Sequence, residues 1–311
     1  MSAFRSTATD YLAIRRAVGF KLRRAEGLLF SFVGFLETER ATRVTTQLAV
    51  RWATLPAGAT PGWWNSRLCV ARGFARHMSA IDPATEVPPT GLLARLGPGS
   101  SRAEPYLYST AEVTALMVAA RSIQSRFVAA TCETLVGLLA VSGMRVGEAL
   151  RLDVGDLDWA RGALVIRDGK FNRSREVPLH ESTLDVLRAY GRLRDERYPR
   201  PRSGSFFVTS SGRRLSYGTI RGHFEHLVRR AGLQPRSARC RPRLHDFRHR
   251  FACATLEDWY LSGADVQAKL PLLSTYLGHI DPISTYWYLS GKPELLTLAA
   301  SRLEDSLGVL P

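Results

Sequence analysis

Arg145, Lys170, His245, Arg248, His279 and Tyr288 are far apart in the chain, yet each sits in a short stretch that does not read as plain surface. In "SGMRVGEALRL", Arg145 follows Gly143 at the start of a predicted helix, and Glu148 lies one turn further on the same face. In "LHDFRHRFA", His245, Arg248 and His249 fall at i, i+3 and i+4 within an apolar frame of Leu244, Phe247, Phe251 and Ala252. A cation facing such a frame is costly unless something pairs with it, and an anionic substrate could be that partner. "LGHIDPISTYWYLSG" supplies His279 and two tyrosines, Tyr286 and Tyr288. Lys170 falls at the turn of a predicted hairpin. Two arginines, two histidines, a lysine and a tyrosine suit attack on a phosphodiester, where positioning and neutralisation of charge supply most of the catalysis. A free phenol has a pKa of about 10 and is a poor nucleophile until a base and nearby cations favour the phenolate. The residue types alone do not choose between the tyrosines.

Other readings compete at these positions. His245 and His249 at i, i+4 could bind zinc, but the metalloprotease pattern needs a glutamate where this chain has Asp246, and no third ligand is evident despite Cys240 and Cys253 nearby. The expectation is no metal, with His249 as a supporting residue. A hairpin lysine is often merely solvated, and Arg173 is an alternative cation three residues on. Glu148 is expected to orient Arg145.

The elements that must carry these residues read as mainly α, of the α+β kind. Within the first 85 residues, apolar positions from Tyr11 to Glu39 (Ile14, Val18, Leu22, Leu29, Phe32, Val33, Leu36) keep helical spacing. Further helices are predicted at "TTQLAVRWATL" and after Pro61, where Leu68, Ala71, Phe74, Met78 and Ile81 form a stripe and Arg72 and Arg76 lie on another face. Proline and glycine then become dense, and residues 86–105 read as a linker between a domain at 1–85 and a second at 106–311. Ser109 and Glu112 mark a capped helix start. Helices are predicted at 110–122, 126–142, 146–152, 181–197, 216–231, 245–261, 264–277 and 293–306. A small antiparallel sheet is predicted from 163–167, 175–179 and "SFFVTS" at 205–210.

The 311 residues carry a net charge of +15, which points to a polyanionic partner. Arg72, Arg76, Arg173, Arg213, Arg214 and Arg243 are the candidate phosphate contacts, the last three in an arginine-dense stretch interleaved with glycine and serine. Tyr217, opening a helix there, is expected to reach a phosphate or to pack. No apolar run approaches the roughly 18 residues that a bilayer requires. Four scattered cysteines without a CxxC read as reduced thiols in a cytoplasmic protein.

The ordered set of motifs resembles the tyrosine recombinase, or phage integrase, family. That family carries an arginine in a "TGLRxGE"-like segment, a hairpin lysine, an HxxR motif, an "LGH" histidine and a nucleophilic tyrosine nine residues beyond that histidine. These fall here on Arg145 in "SGMRVGE", Lys170 in "DGKFNRSREVPL", His245 and Arg248 in "HDFRH", His279 in "LGH", and Tyr288. The nine-residue interval selects Tyr288 and leaves Tyr286 and Trp287 as expected core packing. The resemblance covers residues 106–290 and departs at Phe171, where many relatives have threonine, and at Ser290, where many have histidine. "YLAIRRAVGFKL" and "TYWYL" also resemble a subgroup found in recombinase-in-trio mobile elements.

The resemblance implies a helical DNA-clamping domain followed by a catalytic domain. It implies strand cutting and rejoining through a 3′-phosphotyrosine, without metal, ATP or other cofactor, for a protein of the cytoplasm and nucleoid. Its partners would be double-stranded recombination sites, a homo-tetramer docked through the helix at 293–306, and sister recombinases. A type IB topoisomerase and a catalytically silent DNA-binding subunit are the alternatives.

Overall fold

A computed structural model of the chain describes residues 2–20, 22–93, 104–167, 174–200, 203–279, 283–290 and 293–307. The chain divides into two units, Met1–Arg102 and Ala103–Pro311.

The first unit consists of α1 (Ala3–Ala17), α2 (Arg23–Thr38), α3 (Thr46–Thr54) and α4 (Pro61–Met78). Ser2, Thr45 and Thr60 cap α1, α3 and α4 by accepting a main-chain N–H, and Pro61 occupies the first turn of α4. Leu12, Leu29, Phe32, Leu36, Trp52, Leu68 and Phe74 meet in one core. The continuous helix read from Tyr11 to Glu39 is in fact two helices. Gly19 has φ +90° and Leu22, at the start of α2, has φ +42°, and a helix cannot continue through either conformation. Ile14 and Val18, counted in that spacing, are exposed.

Part of the stretch read as linker is packed. Val87 and Leu93 join the first unit's core. Arg72, on α4, donates from Nε to the Pro88 carbonyl at 2.7 Å and from Nη2 to the Pro89 carbonyl at 2.7 Å.

The second unit holds α5 (Thr110–Arg121), α6 (Arg126–Ser142), the one-turn α7 (Val146–Ala149), α8 (Glu181–Arg197), α9 (Tyr217–Arg230), α10 (Asp246–Leu261), α11 (Val266–Leu277), α12 (Ile283–Ser290) and α13 (Pro293–Leu307). Ser109 and Glu112 form the capping box of α5. The buried helix α6 runs through the main core, with Leu135, Val136 and Leu139 fully enclosed and Phe206, Phe207, Phe224 and Phe247 in the same cluster. A second cluster joins α10 to α11, α12 and α13 through Leu256, Leu270, Leu273, Leu277, Tyr288 and Leu295.

The sheet is three-stranded and antiparallel, in the order β1 (Leu157–Asp158), β2 (Ala163–Ile166), β3 (Arg175–Pro178), with Ile166 opposite Arg175. "SFFVTS" is not its third strand. Phe206, Phe207 and Val208 are buried, but the segment makes only isolated bridges, Asp153 with Ser205 and Val208 with Arg214. The helix read at 146–152 lasts one turn, and α12 was not foreseen as a separate helix.

Candidate active site

The site grows from the C-terminal end of α6. Gly143 caps that helix with φ +58°, and a Cβ there would lie 2.5 Å from the Phe251 ring on α10. Only glycine lets the two backbones approach so closely. The turn aims the Gly143 carbonyl at Arg248 and releases the chain into Arg145, at the start of α7. Glu148 then reaches back: its Oε2 accepts the Arg145 main-chain N–H at 3.0 Å, and its Oε1 accepts Arg145 Nη1 at 2.8 Å.

The first turn of α10 supplies the next group. Phe247 is buried and stacks on Tyr108 at 4.6 Å. This ring contact and the burial of Leu244 turn Arg248 inward, where it is 2% exposed. Its Nη1 donates to the Gly143 carbonyl at 3.1 Å and its Nη2 to the Leu277 carbonyl at 2.7 Å. Burial lowers its pKa to about 10; Tyr288, through a side-chain hydrogen bond, and the Glu148 carboxylate oppose that fall, and Arg145 adds to it. The group therefore remains a cation at neutral pH. His245 is exposed just before α10, and its ring meets that of the buried His249 edge-on at 5.3 Å.

The third segment is the end of α11. Gly278 turns the chain with φ +69°, and three arginines bind the carbonyls exposed there: Arg175 Nε at Tyr276 (2.7 Å), Arg248 Nη2 at Leu277 (2.7 Å) and Arg145 Nη2 at Gly278 (3.0 Å). Such carbonyls carry the negative end of the helix dipole, so guanidiniums complement them. His279 follows directly, its Nδ1 2.7 Å from the hydroxyl of the buried Thr285.

Helix α12 places Tyr288 in this pocket. The residue is 3% exposed, its ring is edge-on to His249 at 5.4 Å and stacked with His279 at 5.9 Å, and its side chain hydrogen-bonds Arg248. Tyr286, two residues earlier, is 51% exposed, so it is not the core residue that was expected. The geometry thus separates the two tyrosines. Among the described residues, no group of three His, Cys, Asp or Glu stands close enough to hold a metal ion. The Asp246 carboxylate is instead gripped by Arg243, at 2.9 and 3.0 Å.

The structure therefore brings Arg145, Glu148, His245, Arg248, His249, His279 and Tyr288 into one region. Lys170 and Arg173 lie outside the described residues. Arg175 was missed. Its signal was the strand alternation itself, since in β3 it shares a face with the buried Val177. Burial also corrects one expected phosphate contact. Arg72 is buried, with its donors on carbonyls of its own unit. Arg243 also binds Asp246 and the Glu104 carbonyl, and Arg214 binds Asp153 and the Leu150 carbonyl, but their side chains remain 40% and 39% exposed. Arg76 and Arg213 are exposed. Tyr217 is also exposed.

Comparison with known proteins agrees with this arrangement. The profile described as "Phage integrase family" matches residues 108–294. The chain is 43% identical over 310 residues, 98% of each chain, to the y4rB protein of Sinorhizobium fredii (strain NBRC 101917 / NGR234), an integrase/recombinase by name. It is 31% identical to the tyrosine recombinase XerC of Azotobacter vinelandii (strain DJ / ATCC BAA-1303), over 71% of this chain and 67% of that one. Among solved structures, the fold is like that of XerA recombinase (TM-score 0.52, 21% identity, 97% of this chain and 98% of that one). It is also like that of the Tn1549 transposon integrase in complex with transposon right end DNA (TM-score 0.64, 15% identity, 96% and 99% covered). The chain belongs to the phage integrase family of tyrosine recombinases, enzymes of site-specific DNA recombination.

Proposed function

We propose that the chain cuts and rejoins DNA at defined sites through a covalent 3′-phosphotyrosine on Tyr288. The observation that carries the reading is the buried Tyr288 side chain hydrogen-bonded to Arg248, with His249 and His279 against its ring. The phenolic oxygen attacks the scissile phosphorus in line, the bond from phosphorus to the 5′ oxygen breaks, and the 5′-hydroxyl departs. His245 takes the phenolic proton and Lys170 gives one to the departing oxygen. Arg145 and Arg248 hold the non-bridging oxygens, and His279, fixed by Thr285, hydrogen-bonds the phosphate. The phosphoester stays stored in the covalent link, so reversal needs neither ATP nor metal.

Tyr288 meets Arg248 of its own chain, which supports cutting in cis. Because Tyr288 is enclosed, α12 must shift to present it to DNA. The partners are duplex recombination sites at the nucleoid of a host cell, drawn by the +15 charge, with exposed Arg76 and Arg213 as phosphate contacts. Service to a mobile element fits the likeness to a transposon integrase, and sister recombinases are the further partners that the family resemblance implies. Exchange between two duplexes calls for four subunits. Helix α13 is the candidate contact: it holds to its own domain through Leu295 and Arg302 and leaves Leu296 exposed.

The test is covalent capture on a library of nicked duplexes made from the DNA that flanks the chain's own coding sequence. The wild type should form an adduct that survives denaturation, and Tyr286→Phe should do the same. Tyr288→Phe should bind the same DNA and form none. Capture that persists in Tyr288→Phe and disappears in Tyr286→Phe would defeat the assignment. Joining of two captured sites, as opposed to relaxation of a supercoiled plasmid, separates the recombinase from a topoisomerase.

A further inference from the structure

Arg175 belongs to neither the attacking group nor the phosphate contacts assigned above, yet it touches two of the segments that carry them, the one-turn α7 that follows Arg145 and the end of α11 that leads into His279. Its main chain opens β3, opposite Ile166. Its side chain is 12% exposed. Nη1 and Nη2 donate to the two oxygens of Glu148, at 3.2 and 2.8 Å, and Nε donates to the Tyr276 carbonyl at 2.7 Å. Glu148 binds Arg145 through the same two oxygens, and Arg145 binds the Gly278 carbonyl. The bonds close a ring: Arg175 to Glu148, Glu148 to Arg145, Arg145 to Gly278, then two residues of main chain back to Tyr276 and Arg175. A Cβ at Gly278 would lie 2.7 Å from Arg175 Nη1, so the guanidinium lies flat against that glycine.

The electrostatics give the ring a purpose. Glu148 is buried, with a side chain 1% exposed, and it is an anion whose pKa lies at about 2. Burial pushes that pKa up, and the hydrogen bonds and charge of Arg175, followed by the bonds from Arg145, more than reverse the push. Were Arg145 the only partner, the two would form a neutral pair and the Arg145 charge would be spent on Glu148. With Arg175 sharing the carboxylate, one net positive charge is left on the pair of arginines, and Arg145 is 25% exposed where it can use that charge. Arg175 also holds the end of α11 from which His279 projects.

We infer that Arg175 is a positioning residue for strand cleavage: it neutralises Glu148, keeping the charge of Arg145 available to the phosphate, and fixes the Gly278–His279 turn. The inference rests on the strand-cleavage reading above. Its test is single-turnover adduct formation on the captured duplex at saturating protein, with DNA affinity and melting temperature measured beside it. Arg175→Gln removes the charge and leaves a shorter, neutral polar side chain; cleavage should fall about 10²-fold, with affinity within a few-fold of wild type. Arg175→Lys keeps the charge and should lose no more than about tenfold. The discriminating variant is Arg175→Gln combined with Glu148→Gln, which removes the carboxylate that would capture Arg145. It should cleave at least about tenfold faster than Arg175→Gln alone, a rescue that a merely structural role does not give.

A double variant as slow as the single one, both folded, overturns the inference, as does an Arg175→Gln enzyme that cleaves at the wild-type rate. If Arg175→Gln does not fold, Arg175→Lys carries the test, and a folded Lys variant that is slowed 10²-fold or more overturns it equally. A wild type that forms no adduct would instead strike the cleavage reading itself.

Discussion

Each unit of the molecule buries an arginine among main-chain carbonyls, and the two are put to different uses. In the first, Arg72 binds Pro88 and Pro89 and ties a proline-rich irregular segment to α4. In the second, Arg248 binds Gly143 and Leu277 and still carries a hydrogen bond to a tyrosine side chain. Burial and satisfied donors are common to both, so neither marks a site. The surroundings differ. Arg248 belongs to a group of three guanidiniums, with Arg145 and Arg175, that gathers around one helix end, and the other two share one buried carboxylate, Glu148. So much like charge in so little space is unfavourable without an anion. An arginine that only staples the chain needs no such company.

The sharpest way to break this comparison is at Arg248. Lysine keeps the charge but cannot form the fork that meets two carbonyls and Tyr288 together. Arg248→Lys should slow adduct formation on the captured duplex by about 10²–10³-fold. DNA affinity should change only a few-fold, because exposed basic residues carry most of the binding. Single-turnover rates beside equilibrium binding decide the matter. If affinity collapses in step with the rate, Arg248 acts in ground-state binding and the contrast with Arg72 is one of degree.

Much of the site was legible because its residues stand in short segments whose local structure is fixed nearby. Ser109 and Glu112 cap α5 as read, and glycine at 143 and 278 permits the two turns that aim Arg145 and His279. What could not be read was settled by partners distant in sequence. Arg175 looked like the edge of a strand until Glu148 and Tyr276 closed on it. Arg72 looked like a surface cation until residues 88 and 89 folded back over α4. Apolar spacing carried one predicted helix through Gly19, because Ile14 and Val18 kept the period although neither is buried. The run Phe206–Val208 is core, as its hydrophobicity implies, but burial does not choose a pairing partner, and Leu157–Asp158 took the sheet position.

A smaller effect sharpens the electrostatic side of the comparison. The carboxyl of Glu148 lies at about 2 in the folded protein, below its ordinary value of 4.5. A depressed carboxyl contributes stability that is complete above pH 4.5 and is lost as pH falls from there toward about 2. A displacement of that size corresponds to roughly 3 kcal/mol for the second unit. Unfolding free energy followed between pH 6 and pH 2 should therefore drop more steeply in the wild type than in Glu148→Gln, whose side chain does not titrate. Parallel curves would mean that Glu148 is not held as an anion, and the charge-sharing argument for Arg175 would lose its basis.

The smallest effect is expected at Arg72, and it tests the other half of the contrast. Arg72→Met keeps a long, buried side chain and removes the donors to Pro88 and Pro89. Each charged hydrogen bond contributes about 1.5–3 kcal/mol, and the exposure of Pro89 lets water replace part of it, so a net loss of about 1–3 kcal/mol is expected. The loss should be local: amide exchange across residues 86–93 should quicken, with a lesser change in the core around Trp52 and Phe74. Adduct formation by the folded variant should stay at the wild-type rate, and the salt dependence of binding should keep its slope. A slope reduced by about one phosphate's worth, with exchange unchanged, would show that Arg72 leaves its carbonyls to meet DNA. In that case the first unit's arginine would be a phosphate contact stored in a folded position, and the difference between the two regions would lie in when each guanidinium is released, not in what it binds.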